Sequence, residues 1–217
     1  MLKGIIFDMD GLMIDTESLL QKFWVQAANE NGYPMTKEHV LGIRSLASKY
    51  AIPHLKELFG NDFDYYAVRK RRIELMNNYI RENGIVKKAG LDELLEYLKS
   101  TDLKIAVATA TDFQRTKMYL ESINVFHFFD KIICGDMIEN GKPNPDIYIE
   151  ASRQLGFKSD ECIALEDSPN GILSAYRAGC LPVMVPDLTQ PDAETAGLLY
   201  AKCDSLADVI NVIEKMI

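Results

Sequence analysis

Apolar residues recur along this chain at two different periods. Ile5, Ile6 and Phe7 form a short unbroken run that stops at Asp8, as a strand buried on both faces does when it ends in a turn. After Asp15 the spacing lengthens. Leu19, Leu20, Phe23, Trp24, Ala27 and Ala28 fall three and four residues apart, which predicts an amphipathic helix that Thr16 and Glu17 could start. Further helices are predicted at Thr36–Leu41, with Thr36 a candidate cap, at Ser45–Leu58, and at Tyr65–Glu82, where Asn83-Gly84 stops the run. No strand pattern interrupts residues 16–87, so this stretch reads as a compact helical insertion.

Beyond residue 87 the two periods alternate. Helices are predicted at Leu91–Lys99, Phe113–Ser122, Pro145–Leu155, Asn170–Ala178 and Leu206–Ile217, and strands at Lys104–Ala108, Lys131–Cys134, Cys162–Leu165 and Leu181–Val185, with a short one near Leu199–Ala201. Apolar strands alternating with helices build a parallel sheet covered on both faces. The expected fold is therefore α/β: a Rossmann-like, three-layer core of residues 1–15 and 88–217, with a helical cap of residues 16–87 inserted after the first strand. No internal repeat or low-complexity segment is visible.

Length and composition narrow the possibilities. A chain of 217 residues buries enough apolar surface to fold without staples. Its four cysteines, Cys134, Cys162, Cys180 and Cys203, show no C-x-x-C spacing, and buried free thiols of a reducing compartment are expected. No signal or membrane-spanning pattern appears, so a cytoplasmic protein with no membrane partner is expected. Against 24 basic residues stand 32 acidic ones, a net charge of −8 that disfavours a nucleic-acid binder while leaving room for a local basic site.

In a doubly wound sheet, ligands sit at the carboxyl ends of the strands. Asp8 and Asp10 follow the first strand; if the chain is still extended there, they share a face roughly 7 Å apart while Met9 points the other way. Such a pair is tolerated beside a divalent metal or a lysine, or with one member protonated. Taken alone, Asp-x-Asp-Gly reads equally well as an ordinary strand-to-turn junction. The other strand ends carry Thr109-Ala110-Thr111-Asp112, Gly135-Asp136 and Glu166-Asp167-Ser168, and Lys142 lies in the loop Asn140-Gly141-Lys142-Pro143-Asn144-Pro145. Singly, Lys142 would be a solvated lysine, Thr109 a β-branched strand residue, and Glu166-Asp167 an acidic pair at a helix start. Together they converge as carboxylates, a hydroxyl and an ammonium. Oxygen ligands of this kind suit Mg²⁺, which screens paired carboxylates and lets a phosphate dianion approach them.

Asp8-x-Asp10-Gly11, Thr109, Gly141-Lys142-Pro143-x-Pro145-Asp146 and Glu166-Asp167-Ser168 stand in the order and spacing of the haloacid dehalogenase-like hydrolase superfamily. The chain resembles its branch of β-phosphoglucomutases and sugar-phosphate phosphatases over its whole length. The resemblance implies Asp8 as nucleophile and Asp10 as general acid and base. It further implies Thr109 and the Ala110 backbone N–H, beside Gly11, as phosphate contacts, and Lys142 as the neutralising cation. Asp8, Asp167 and the Asp10 backbone carbonyl would hold Mg²⁺, with Glu166 acting directly or through water. The cap would close over the site on hinges near Ile14–Glu17 and Asn83–Ala89. Substrate contacts are expected from Glu17, Trp24, the Gly42-Ile43-Arg44-Ser45 loop and Arg72, with Arg44 gripping phosphate or hydroxyls.

The expected partner is a small phosphorylated metabolite, and a monomer is expected. The mutases place a His where this chain has Leu20 and a Lys where it has Asp112, departures that favour transfer to water. The readings are thus an Mg²⁺-dependent phosphatase first, a β-phosphoglucomutase-type isomerase second, and a non-catalytic ligand-binding member of the fold third. His39, His54 and His127 are expected to be structural or at the surface.

Overall fold

The computed structural model describes residues 1–44 and 46–217. In chain order the elements are β1 (Gly4–Phe7), α1 (Glu17–Glu30), α2 (Lys37–Leu41), α3 (Ser48–Phe59), α4 (Tyr65–Asn83), α5 (Leu91–Lys99), β2 (Lys104–Thr109), α6 (Phe113–Ser122) and β3 (Lys131–Cys134). There follow α7 (Asp146–Leu155), β4 (Cys162–Glu166), α8 (Pro169–Ala178), β5 (Leu181–Met184), α9 (Ala193–Ala196), β6 (Ala201–Lys202) and α10 (Val209–Ile213). The six strands form one sheet in the order β3-β2-β1-β4-β5-β6, and every neighbouring pair is parallel.

The chain winds outward from β1 in one direction through β2 and β3, then returns to the other side of β1 for β4, β5 and β6. That reversal opens a crevice at the carboxyl ends of the central strands. Register aligns them: Phe7 stands opposite Val107 on one side and Leu165 on the other, so Asp8, the end of β2 and Glu166 emerge at one level.

The pleat sorts the core residues of β1 into two layers. Ile5 and Phe7 pack with Leu94, Leu95, Leu98, Val107 and Leu165 on one face. Ile6 faces the other with Ala106, Ala108, Ala164, Ile147 and Ala151. The alanines of that second face let α7 lie close to the sheet. Helices α1 to α4 carry a separate cluster of Trp24, Ala27, Ala28, Val40, Leu55, Phe63 and Val68. The segments that enter and leave this insert run beside one another, with Asp15 N–H donating to the Val86 carbonyl at 2.9 Å and Lys88 N–H to the Met13 carbonyl at 2.9 Å. The insert rests over the crevice: the Ala47 N–H donates to the Lys142 carbonyl (3.1 Å) and the Asn170 amide to the Arg44 carbonyl (2.9 Å).

Several expected boundaries move. β2 and β4 each run one residue further, to Thr109 and Glu166, because the neighbouring strands continue the ladder there. α3 begins at Ser48 rather than at 45, and Ser45 lies outside the described residues. The final strand is Ala201–Lys202, fixed by Tyr200 N–H to the Pro182 carbonyl and Cys203 N–H to the Met184 carbonyl. The last helix shortens to Val209–Ile213. α9, capped by the Asp192 side chain on Thr195 N–H, is not anticipated by the apolar pattern. All four cysteines are buried and free. No described helix is long and apolar enough to cross a membrane.

Gly90 joins the insert to α5 at φ +83°, and a Cβ there would collide with the Ala207 backbone of the C-terminal segment. Left-handed strain plus this overpacking should make Gly90→Ala cost about 2–4 kcal/mol. Urea unfolding should show a lowered midpoint with an unchanged slope.

Candidate active site

Asp8 is the first residue past the β1 core, and its N–H still donates to the Leu165 carbonyl at 3.0 Å. The chain then turns at Gly11, whose φ is +88°. A Cβ on Gly11 would overlap the Asp167 carboxylate and the Glu17 side chain, so only glycine fits beside them. Met9 is fully buried in the core.

Lys142 comes from the loop before α7 and is 1% exposed. Its Nζ lies 2.5 Å from Asp8 Oδ1, 2.6 Å from Glu166 Oε1 and 3.1 Å from the Ala108 carbonyl, so its three donors are all used. The Tyr148 hydroxyl donates to Glu166 Oε1 at 2.6 Å. The second oxygen, Oε2, accepts from Asp167 N–H, Ser168 N–H and Ser168 Oγ at 3.2–3.4 Å. Ser168 Oγ also accepts from Gly171 N–H and thereby caps α8. Oxygens of Asp8, Glu166 and Asp167 all lie within 4.8 Å of one another, the one such acidic cluster among the described residues.

The Asp10 carboxylate is not part of that cluster. Thr16 Oγ1 donates to it at 2.6 Å, Thr111 Oγ1 at 2.8 Å and Thr109 Oγ1 at 3.3 Å. Thr109, expected as a phosphate contact, thus directs its hydroxyl to Asp10 and accepts from Thr111 N–H at 3.1 Å. Ala110 lies in the same crevice, with Gly135 packed against its carbonyl too closely for any Cβ.

Arg44 reaches from the insert to the carboxylates. Its guanidinium pairs with Asp167 Oδ2, lies 3.1 Å from Glu17 Oε2 and donates to Thr189 Oγ1 at 3.1 Å. Expected as a grip on phosphate, it instead meets Asp167 and Glu17 directly. Asp8, Asp10, Glu17, Trp24, Arg44, Arg72 and Lys142 all line one cavity of about 420 Å³ between insert and core. Thr16, Thr111 and Tyr148 were not anticipated as members of the site. Thr111 carries a readable signal, since it stands two residues after Thr109; Tyr148 carries none. Of the histidines, His39 accepts from the Thr36 backbone N–H at 3.1 Å at the start of α2.

Comparison with known proteins places this geometry. The family described as haloacid dehalogenase-like hydrolase matches residues 5–185. The chain belongs to that family. It is 29% identical over 178 residues to the "Phosphorylated carbohydrates phosphatase" of Thermotoga maritima, covering 82% of each chain. It is 25% identical over 178 residues to the "Fructose-1-phosphate phosphatase YqaB" of Escherichia coli, covering 81% of this chain and 92% of that one. The crystal structure of CbbY from Rhodobacter sphaeroides in complex with phosphate superposes with a TM-score of 0.81 at 26% identity, over 96% of each chain. The parallel, Rossmann-like α/β core expected from the alternation of strands and helices is thus the fold of this hydrolase family.

The electrostatics of the site suit a cation. Burial, with Glu166, Asp167 and Asp10 nearby, pushes the Asp8 carboxyl well above the ordinary range, opposed by the Lys142 ammonium. Burial likewise raises Asp167, against Arg44, and lifts Glu17 to about 8. The paired carboxylates in turn raise Lys142 despite its own burial, so the lysine stays charged. Asp167 Oδ1 is buried without any hydrogen-bond partner among the described residues. An orphaned carboxylate oxygen among hard oxygen donors that hold excess negative charge fits a hard divalent cation.

These shifts have a sign. A carboxyl raised above its unfolded value keeps a proton in the fold that the unfolded chain releases, so stability falls as pH rises through the window between the two values. The metal-free protein should therefore lose stability between about pH 5 and pH 8, and a divalent cation should lessen the loss. Denaturant midpoints across this range, with and without the ion, check it; a midpoint that rises with pH contradicts the assignment.

Proposed function

We propose that the chain is an Mg²⁺-dependent phosphatase that hydrolyses a small phosphomonoester, a sugar phosphate, through an aspartyl phosphate on Asp8. The observation that carries the reading is the Lys142 ammonium held between Asp8 and Glu166 at the floor of a cavity under the helical insert. The relatives named for phosphorylated carbohydrates and fructose 1-phosphate support the substrate class.

Asp8 attacks phosphorus, and the bond from phosphorus to the sugar oxygen breaks. Asp10, oriented by Thr16, Thr109 and Thr111, donates a proton to the departing oxygen. A water then attacks phosphorus and loses its proton to Asp10, releasing inorganic phosphate and restoring the Asp8 carboxylate. Lys142 and the Ala110 N–H meet the charge of the transferring group. Asp8, Asp167 and the Asp10 carbonyl, with Glu166 beside them, would hold Mg²⁺, which would supply the positive charge that lets a phosphate dianion approach a carboxylate. Residues 16–87 act as a cap that excludes bulk water and macromolecular phosphoesters, swinging on Ile14–Glu17 and Asn83–Ala89.

Transfer to water rather than to a second sugar phosphate is favoured by what stands at two positions. Leu20 lines the cavity with an apolar side chain. Asp112 caps α6 and pairs with Arg115 Nε at 2.6 Å, so it offers no cation to a bound phosphate.

Phosphate release from a panel of sugar phosphates tests the reading. Release should require Mg²⁺; Asp8→Asn should abolish it, and Asp10→Asn should lower kcat by on the order of 10²–10⁴-fold. Isomerised product without free phosphate would establish the mutase instead.

A further inference from the structure

Tyr148 belongs to the core by its ring and to the site by its hydroxyl. It is the third residue of α7, is fully buried, and sits in the apolar cluster of Ile6, Ala106, Ala108 and Ala164. That packing needs only the ring. A buried hydroxyl must nevertheless find an acceptor, and Ser152 on the same helix shows the ordinary solution: its Oγ donates back along α7 to the Tyr148 carbonyl at 2.9 Å. The Tyr148 hydroxyl does something else. It donates, at 2.6 Å, to Glu166 Oε1, the same oxygen that accepts from Lys142 Nζ at 2.6 Å. Its ring centroid also lies 5.1 Å from that Nζ, within cation–π range. One side chain thus meets the ammonium twice, through its ring and through the carboxylate they share.

Glu166 is otherwise pinned. Oε2 accepts from Asp167 N–H and from Ser168 N–H and Oγ, and Gly171 packs so closely on the carboxylate that a Cβ there would overlap it. A carboxylate oxygen offers about two acceptor directions, and those of Oε1 are taken by Lys142 and Tyr148. The ammonium stands between this oxygen and Asp8 Oδ1, 2.5 Å away on the other side, so its place is a balance of two pulls. A second donor on Oε1 draws off part of the Glu166 charge. Less of the ammonium is then spent on Glu166, and more of its field faces Asp8, where negative charge gathers as a phosphoryl group is transferred.

We propose that Tyr148 is a positioning residue: its hydroxyl, acting through Glu166 Oε1, holds the Lys142 ammonium on Asp8. As a statement about where the ammonium stands this is independent of the reaction; its effect on rate rests on the phosphatase reading.

Tyr148→Phe removes the hydroxyl and keeps the ring in its packing. With Mg²⁺ and a sugar phosphate that the wild type hydrolyses, it should lower kcat about 10- to 100-fold, the size of a hydrogen bond to a charged group, with KM changed less than about 3-fold. Ser152→Ala, which removes a buried hydroxyl of the same helix away from Glu166, should leave both constants unchanged. In a Glu166→Gln background, Tyr148→Phe should cost less than about 2-fold, because the carboxylate through which it acts is gone. An equal loss from Tyr148→Phe in both backgrounds, or the same loss in Ser152→Ala, overturns the proposal in favour of a purely structural tyrosine.

A second readout needs neither metal nor turnover. The ammonium protons of Lys142, read by proton–nitrogen NMR of the metal-free protein, should exchange slowly with water in the wild type; in Tyr148→Phe the signal should move and exchange about 10-fold faster or more. An unchanged signal overturns the proposal even if kcat falls. Should Tyr148→Phe fail to fold, a ring-fluorinated tyrosine at the same position, a stronger donor, should move the signal in the opposite sense. If the wild type hydrolyses no sugar phosphate, the phosphatase reading falls, and the NMR comparison alone decides whether Tyr148 holds Lys142.

Discussion

The buried ammonium of Lys142 is the interaction on which the rest of the site depends. Carboxylates from two neighbouring strand ends, Asp8 and Glu166, meet there away from water, and like charges so placed repel unless a cation stands between them. At an effective dielectric of about 20, a single pair at this range attracts by several kcal/mol, against a desolvation cost of similar size. The lysine therefore specifies an arrangement more than it adds stability. It ties the loop before α7 to the ends of β1 and β4, while its backbone carbonyl accepts from Ala47 of the insert. One residue thus links both core strands, a core helix and the insert.

Around it the charges are arranged in pairs of unequal completeness. Glu166 is saturated by Lys142, Tyr148, Ser168 and backbone N–H groups, which makes it a positioning residue for the Lys142 ammonium. Asp167 is only half satisfied among the described residues, with Oδ2 on Arg44 and Oδ1 unpartnered. Asp10 is held by three hydroxyls and, among the described residues, by no cation, as suits the proposed role of gaining and losing a proton while its neighbours stay fixed. Glycines make the crowding possible. At Gly171 a Cβ would fall inside the Glu166 carboxylate, and at Gly11 inside that of Asp167.

Much of this was legible in the chain alone, for physical reasons that can be traced residue by residue. A strand buried on both faces has no use for polar residues until it ends, so Asp8, Thr109 and Glu166 stood out against Ile5–Phe7, Ile105–Ala108 and Cys162–Leu165. A parallel sheet aligns its carboxyl ends, so those residues had to meet. Lys142 was legible through its Gly/Pro-rich loop and its place in the motif set. Thr16, Thr111 and Tyr148 were missed because hydroxyls are common at turns, on strands and in cores, and nothing in their spacing says which carboxylate they will face.

The sequence by itself determined the alternation of strand and helix, the helical character of residues 16–87 and the chemical identity of the groups at the strand ends, because periodicity and residue type act locally. The tertiary structure alone decided the partners. That Arg44 turns to Asp167 and Glu17, that Asp10 faces three threonines while Asp8 faces a lysine, and that Arg72 is buried on Trp24 with no counter-ion among the described residues all depend on how the insert settles over the sheet. Contacts between segments tens of residues apart are set by shape and by the joint satisfaction of buried charge, which no local pattern encodes.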